Sequence, residues 1–120
     1  MDILSLTQNA FQNYWPALLV ITYFAYRTYQ VQKIKKMMPE LKKQGAQIID
    51  VRSAEEFKQA GNPQALNIPL DILKSRLNKI RRTVPVVVCC ASGSRSALAG
   101  RLLKAQGHQV INAGKWQNTL

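Results

Sequence analysis

Val84-Pro85-Val86-Val87-Val88-Cys89-Cys90-Ala91-Ser92-Gly93-Ser94-Arg95-Ser96-Ala97-Leu98-Ala99-Gly100-Arg101-Leu102-Leu103 is the stretch that decides the fold. The apolar run Val84 to Cys89 reads as a buried strand, and Ser96 to Leu103 reads as a helix. Between them, Cys90-Ala91-Ser92-Gly93-Ser94-Arg95 makes a loop of small residues closed by an arginine. Small side chains let successive loop amides point inward at one atom. The following helix N-terminus adds roughly half a positive charge. Arg95 adds a full one. A thiolate at Cys90 placed in such a cradle is expected below the usual cysteine range. The same cradle suits a small oxyanion. A buried strand-end cysteine on its own is usually an inert small hydrophobe; the loop that follows Cys90 favours the reactive reading.

A second cluster lies upstream. Ile48-Ile49-Asp50-Val51-Arg52 reads as a strand ending in a charged pair, and Ser53 with Glu56 has the spacing of a capping box that opens a helix. Asn67-Ile68-Pro69-Leu70 follows, and Asn112-Ala113-Gly114-Lys115-Trp116 lies near the end. Taken in order, Asp50-Val51-Arg52, Glu56-Phe57, Asn67-Ile68-Pro69, the loop Cys90 to Arg95 and the Asn112 segment resemble the rhodanese family of sulfurtransferases. The ordered set runs from about residue 33 to 116.

The resemblance implies an α/β fold, a small rhodanese-like domain with a central parallel sheet flanked by helices. It implies a reaction in which a cysteine takes a sulfane sulfur from a donor such as thiosulfate and passes the resulting persulfide sulfur to a thiophilic acceptor. By position Cys90 matches the sulfur-carrying cysteine, and Arg95 the last loop residue. Ala91, Ser92, Gly93, Ser94 and Ser96 are expected to bind substrate. Asp50, Arg52 and Glu56 are expected to brace the domain, the first two through a buried ion pair that orients neighbouring loops. No cofactor is implied. The expected partners are a small anionic sulfur donor and a thiol or protein sulfur acceptor. Gly61-Asn62-Pro63-Gln64-Ala65-Leu66-Asn67-Ile68-Pro69 departs from the family pattern: it lacks a histidine and a second glycine, and is one residue short.

Phosphatase chemistry is the enzymatic alternative. Read from Cys89, the chain has a Cys-x5-Arg-Ser spacing that ends at Arg95 and Ser96. The choice turns on which cysteine opens the loop. Cys89 continues the strand, Val88 stands where a phosphatase usually has histidine, and no aspartate is placed as a general acid. All three favour Cys90. A non-enzymatic alternative is a membrane-tethered sulfur-carrier module that stores a persulfide on the same residue.

The chain has 120 residues, enough for one domain plus an appendage. Two cysteines adjacent in sequence make no disulfide framework, which fits a reducing compartment. Lys and Arg number 17 against 6 Asp and Glu. A basic surface suits a small anionic donor or anionic lipid. No nucleic-acid motif accompanies the charge, so no nucleic-acid partner is expected. One histidine and no spaced ligand cluster give no metal site. His108 reads as an exposed residue of a turn.

The sequence divides into residues 1–31, an N-terminal hydrophobic helix; residues 32–44, a basic connector broken at Pro39; and residues 45–120, the rhodanese-like domain. Residues 14–26 carry no charge and are flanked by Tyr14, Trp15, Tyr26 and Tyr29, as at two membrane interfaces. Arg27, Lys33, Lys35 and Lys36 follow. The segment therefore reads as a transmembrane helix, single pass with the N-terminus outside and the catalytic domain cytoplasmic. The membrane is then a partner. Asp71 to Ile80 reads as an amphipathic helix, with Leu98, Leu102 and Ala105 as the buried stripe of the helix after the loop.

Overall fold

A computed structural model describes residues 2–120. By its internal contacts the chain forms two units, Met1–Gln32 and Lys33–Leu120.

The first unit is helical from its start. Helix α1 spans Ile3–Lys43 and so continues into the second unit. Asp2 begins it: its Oδ1 accepts a hydrogen bond from the Ser5 amide at 2.8 Å, satisfying one of the free N–H groups of the first turn. The expected N-terminal helix is therefore present, but the expected membrane span is not. Among the described residues, no helix is long and apolar enough to cross a membrane. Gln8, Asn9, Gln12 and Asn13 precede the apolar centre, and Thr22, Arg27, Thr28 and Gln30 interrupt or follow it. Each adds a polar group to a segment that would need about 20 predominantly apolar residues. The single-pass topology, the membrane partner and the cytoplasmic placement rested on that span and fall with it.

In the second unit α1 carries on through Pro39 to Lys43, so the stretch read as a connector is helical. Met38 and Leu41 are buried there against Ile48, Val87, Cys89 and Ala113. Gly45, with φ of 77°, turns the chain into the sheet.

The sheet has four parallel strands in the order β2-β1-β3-β4. Strand β1 is Gln47–Asp50, β2 Leu66–Asn67, β3 Val86–Cys90 and β4 Val110–Lys115. All five residues of β3 are buried, as expected for a central strand covered on both faces. Alternation splits its side chains between two cores. Val86, Val88 and Cys90 pack with Ile49, Val51, Leu73, Ala99 and Leu103. Val87 and Cys89 pack on the other face with Met38 and Leu41.

Helix α2 (Ala54–Gln59) follows β1, and helix α3 (Ser94–Ala105) follows β3. The segment Leu70–Lys79 between β2 and β3 is 3-10 in character and is broken by non-helical geometry at Arg76, rather than one amphipathic α-helix. Leu73 is its fully buried residue. The buried face of α3 is Ser96, Ala99, Gly100 and Leu103. Leu98 is exposed, so the expected stripe of Leu98, Leu102 and Ala105 is rotated from the observed one. Small residues face the sheet, and a Cβ on Gly100 would make ordinary contact, at 3.7 Å, with both Val110 and Val88. His108 is buried as well, contrary to its reading as an exposed turn residue, and neither ring nitrogen has a hydrogen-bond partner. Burial, with the positive charge of Arg82 nearby, holds its pKa below the usual histidine value.

Candidate active site

Strand β3 delivers Cys90 to the carboxyl edge of the sheet, where ligand sites of open parallel sheets form. The next turn folds back over its sulfur. Gly93 takes φ of 103°, a left-handed conformation open to glycine at little cost, and this aims its amide at Cys90 Sγ from 2.9 Å. Ser96, two residues into α3, gives its amide at 3.4 Å, and its Oγ lies 3.4 Å from the sulfur. Burial is the largest single influence on Cys90 and opposes its ionisation. The Ser96 hydroxyl and the amides of Ser96, Gly93 and Ser92 together outweigh it, and the thiol pKa is lowered. The side chains of Ser92 and Ser94 meet each other at 3.2 Å on the exposed outside of the loop. Ala91 is also exposed.

Cys89 differs in every respect. Its side chain points to the other face of the sheet, and its Sγ contacts the Ile49 carbonyl oxygen at 3.7 Å. Burial, aided by the negative charge of Asp50, pushes its thiol up to about 12. The Cys-x5-Arg phosphatase reading would need this residue as its thiolate, and the geometry denies it one.

Arg95 stands on the first turn of α3, with its guanidinium directed across to α2. Nη1 and Nη2 donate to Glu56 Oε1 and Oε2 at 2.7 and 3.0 Å, the paired fork of an arginine on a carboxylate. Glu56 also completes the predicted capping box: its amide donates to Ser53 Oγ, and its carboxylate accepts from the Ser53 amide and hydroxyl. Arg95, followed by the Ser53 contacts, lowers the Glu56 carboxyl to about 2. Arg95 and Glu56 are each more than a third exposed, so this contact remains open to water and solutes. Beside Arg95 lies a cavity of about 650 Å³ with Val51, Ala54, Pro69, Leu70 and Ile72 along its apolar wall.

Asp50 and Arg52 form the expected buried pair. Arg52 Nε reaches both carboxylate oxygens at 3.0 Å, and Nη2 reaches Oδ2 at 2.7 Å. Nη2 also donates to the Ala60 carbonyl, and the guanidinium lies 5.1 Å from the Trp116 ring centroid. Asn67 Nδ2 bonds the backbone oxygens of Asp50 and Arg52, tying β2 to the end of β1. In the segment Gly61–Pro69, which departs from the family pattern, Asn62 Nδ2 donates to Thr119 Oγ1 and to the Thr119 carbonyl.

One contact had no counterpart in the sequence reading. Asn112 Oδ1 accepts from Ser96 Oγ at 2.7 Å, which brings the Asn112 segment to the Cys90 loop. Its position two residues before Gly114 was the available signal, since asparagine side chains commonly bond the amide two residues on. Among the described residues, no cluster of His, Cys, Asp or Glu could hold a metal ion.

A parallel sheet with a cysteine at the end of its central strand, wrapped by amides of a small-residue loop, defines a rhodanese-type domain. The family model for the rhodanese-like domain matches residues 31–114, and the chain belongs to that family. It is 39% identical over 66 residues to the proposed sulfur carrier protein YrkF of Bacillus subtilis; the match covers 54% of this chain, and the chain spans about a third (36%) of that protein's length. It is 30% identical over 83 residues to the thiosulfate sulfurtransferase GlpE of Pseudomonas savastanoi, covering 66% of this chain and 78% of that one. Among solved structures, a human single-domain sulfurtransferase matches with a TM-score of 0.58 and 30% identity, over 68% of this chain and 89% of that chain.

Proposed function

We propose that this chain is a sulfurtransferase in which Cys90 is the sulfur-carrying nucleophile. The observation that carries the reading is the hydrogen bonding of Cys90 Sγ by Gly93 N and Ser96 N, with a lowered thiol pKa. The Cys90 thiolate attacks the outer sulfur of a small anionic donor such as thiosulfate. A new S–S bond forms to Cys90, the donor's own S–S bond breaks, and sulfite leaves with the electron pair. An acceptor thiolate, free or on a protein, then attacks the outer sulfur of the persulfide, and Cys90 departs as a thiolate stabilised by the same amides. No redox partner or cofactor enters the balance. Ala91, Ser92, Gly93, Ser94 and Ser96 line the approach to the sulfur. Arg95 offers its charge to the donor's anionic end, and Glu56 holds the guanidinium until the donor arrives. Asp50 and Arg52 brace the strand end from below.

The similarity to a proposed sulfur carrier supports a second reading, in which Cys90 stores the persulfide for one partner and does not turn over freely.

Intact mass after incubation with thiosulfate tests the chemistry. The expected result is a gain of one sulfur that survives Cys89→Ser and is lost in Cys90→Ser. No gain from thiosulfate or from a persulfide donor would overturn sulfur transfer. Multiple turnovers with cyanide as acceptor mark a catalyst; stoichiometric loading without turnover marks a carrier.

A further inference from the structure

The pairing of β3 with β4 is irregular at one point. Val88 pairs with Asn112, but Cys89 pairs with Gly114, so Ala113 is skipped. A bulge of this kind re-aims the side chains beside it. Here Asn112 bridges the bulge: its Oδ1 accepts the Gly114 amide at 2.9 Å, with Gly114 at φ of 74°. That bond identifies the atom turned inward as the oxygen, because an amide N–H needs an acceptor. The same Oδ1 lies 2.7 Å from Ser96 Oγ. Ser96 is buried, and its Oγ is also within 3.0 Å of the Gly93 carbonyl and 3.4 Å of Cys90 Sγ.

We propose that Asn112 is a positioning residue that, by holding the Ser96 hydroxyl proton, sets how readily Cys90 Sγ gives up its own. A hydroxyl has one proton to donate and two lone pairs to accept with. The Gly93 carbonyl and Asn112 Oδ1 can both only accept, and Asn112, at 2.7 against 3.0 Å, is the closer and takes the larger share of that proton. Ser96 Oγ then faces Cys90 as an acceptor. The run from Cys90 S–H to Ser96 O–H to Asn112 Oδ1 is a chain in which each bond polarises the next, and it keeps the Ser96 hydroxyl short of the full lowering it can give the Cys90 thiol. When Cys90 ionises, Ser96 can donate to the sulfur only by turning its proton away from Asn112. Asn112 thus tempers what the Ser96 hydroxyl adds to the amides of Gly93 and Ser96, which favour the thiolate. Such a balance suits a thiol that must attack, because intrinsic nucleophilicity falls with pKa and the fastest thiol has a pKa near the ambient pH.

The other charges around Cys90 are Arg95 on α3 with its partner Glu56 on α2, the Asp50–Arg52 pair at the end of β1, and Lys115 opposite Cys90 on β4. Cys89 adjoins on the same strand. None is altered in the comparison that follows, apart from Cys89, which is replaced throughout.

The proposal gives the sulfur-transfer reading a further residue, yet its test does not depend on sulfur. In the full chain carrying Cys89→Ser, the rate of Cys90 alkylation by iodoacetamide is followed against pH, alone and with Asn112→Ala, Ser96→Ala or both. Asn112→Ala should lower the apparent pKa of Cys90 by roughly half to one unit, the scale of one redirected hydrogen bond. The double variant should match Ser96→Ala. An unchanged or raised value in Asn112→Ala overturns the proposal. So does a change that persists without the Ser96 hydroxyl, because Asn112 would then act through the shape of the bulge. If Asn112→Ala does not fold, Asn112→Asp keeps both accepted bonds and grips the Ser96 proton harder. It should raise the pKa more with Ser96 present than with Ser96→Ala, and equal rises would refute the coupling. Failure of the thiosulfate mass test would instead sink sulfur transfer and leave this cycle standing.

Discussion

The two adjacent cysteines should differ greatly in reactivity, and the structure sets the scale. Burial and Asp50 push Cys89 up to about 12, while the loop amides and Ser96 hold Cys90 below 9.0, a gap of at least three pH units. At neutral pH that gap alone gives Cys90 at least about a thousandfold more thiolate. The advantage is partly offset, because a more basic thiolate attacks faster. With a Brønsted slope of about 0.5, three units return roughly thirtyfold to Cys89. The net preference for Cys90 is then at least about thirtyfold. Iodoacetamide labelling at pH 7 checks it: Cys90→Ser should react at least about thirtyfold more slowly than Cys89→Ser, with peptide mapping to locate the adduct. Equal rates, or faster labelling at Cys89, would refute the assignment of the loop to Cys90 and restore the register that begins one residue earlier.

Arg52→Met should destabilise the domain by about 3–5 kcal/mol, because it leaves the fully buried Asp50 carboxylate without its partner; urea unfolding measures this, and a loss under 1 kcal/mol would refute the dependence of Asp50 on Arg52. Stability should also fall with acid on account of His108, whose folded pKa lies below its free value of 6.5. The unfolded chain then binds the extra proton first, so the contribution is full above about 6.5 and is lost as pH falls through that value toward the folded pKa. Thermal melts from pH 8 to 5 should show a drop that His108→Leu reduces, and an identical pH dependence in the variant would remove His108 from the account.

Much of this architecture can be read before any coordinates, and the part that cannot has physical causes. The first strand and the Ser53–Glu56 capping box depend on local pattern; the box stands where the sequence puts it, and the strand, Gln47–Asp50, ends two residues before Arg52. The Cys90 loop is equally legible, because small residues after an apolar strand have few other uses. The partner of Arg95 is not legible. Glu56 lies 39 residues away, and only the adjacency of α2 and α3 brings the fork onto its carboxylate. Hydrophobicity alone places Leu98 and Leu102 on the buried face of α3, because they outrank Ser96, Ala99 and Gly100. The face against the sheet is nevertheless the one with Ser96, Ala99, Gly100 and Leu103. His108 is buried although its turn is legible, because a turn signal says nothing about what packs over the turn. In α1 the aromatic flanks have the pattern of a span, but amides and an arginine lie within the same run, and apolar residues are spread around that helix rather than gathered on one face.

The placement of Cys89 and Cys90 on opposite faces of β3 has a consequence for timing. A persulfide with a second thiol within reach is self-discharging: the neighbour attacks the inner sulfur, closes a disulfide and expels hydrosulfide. Strand alternation turns the Cys89 sulfur away from that attack, and its high pKa keeps it a thiol. The doublet thus behaves as one live contact and one insulated one. Cargo loaded on Cys90 would have no internal drain, and its lifetime would be set by how often an outside nucleophile finds the loop.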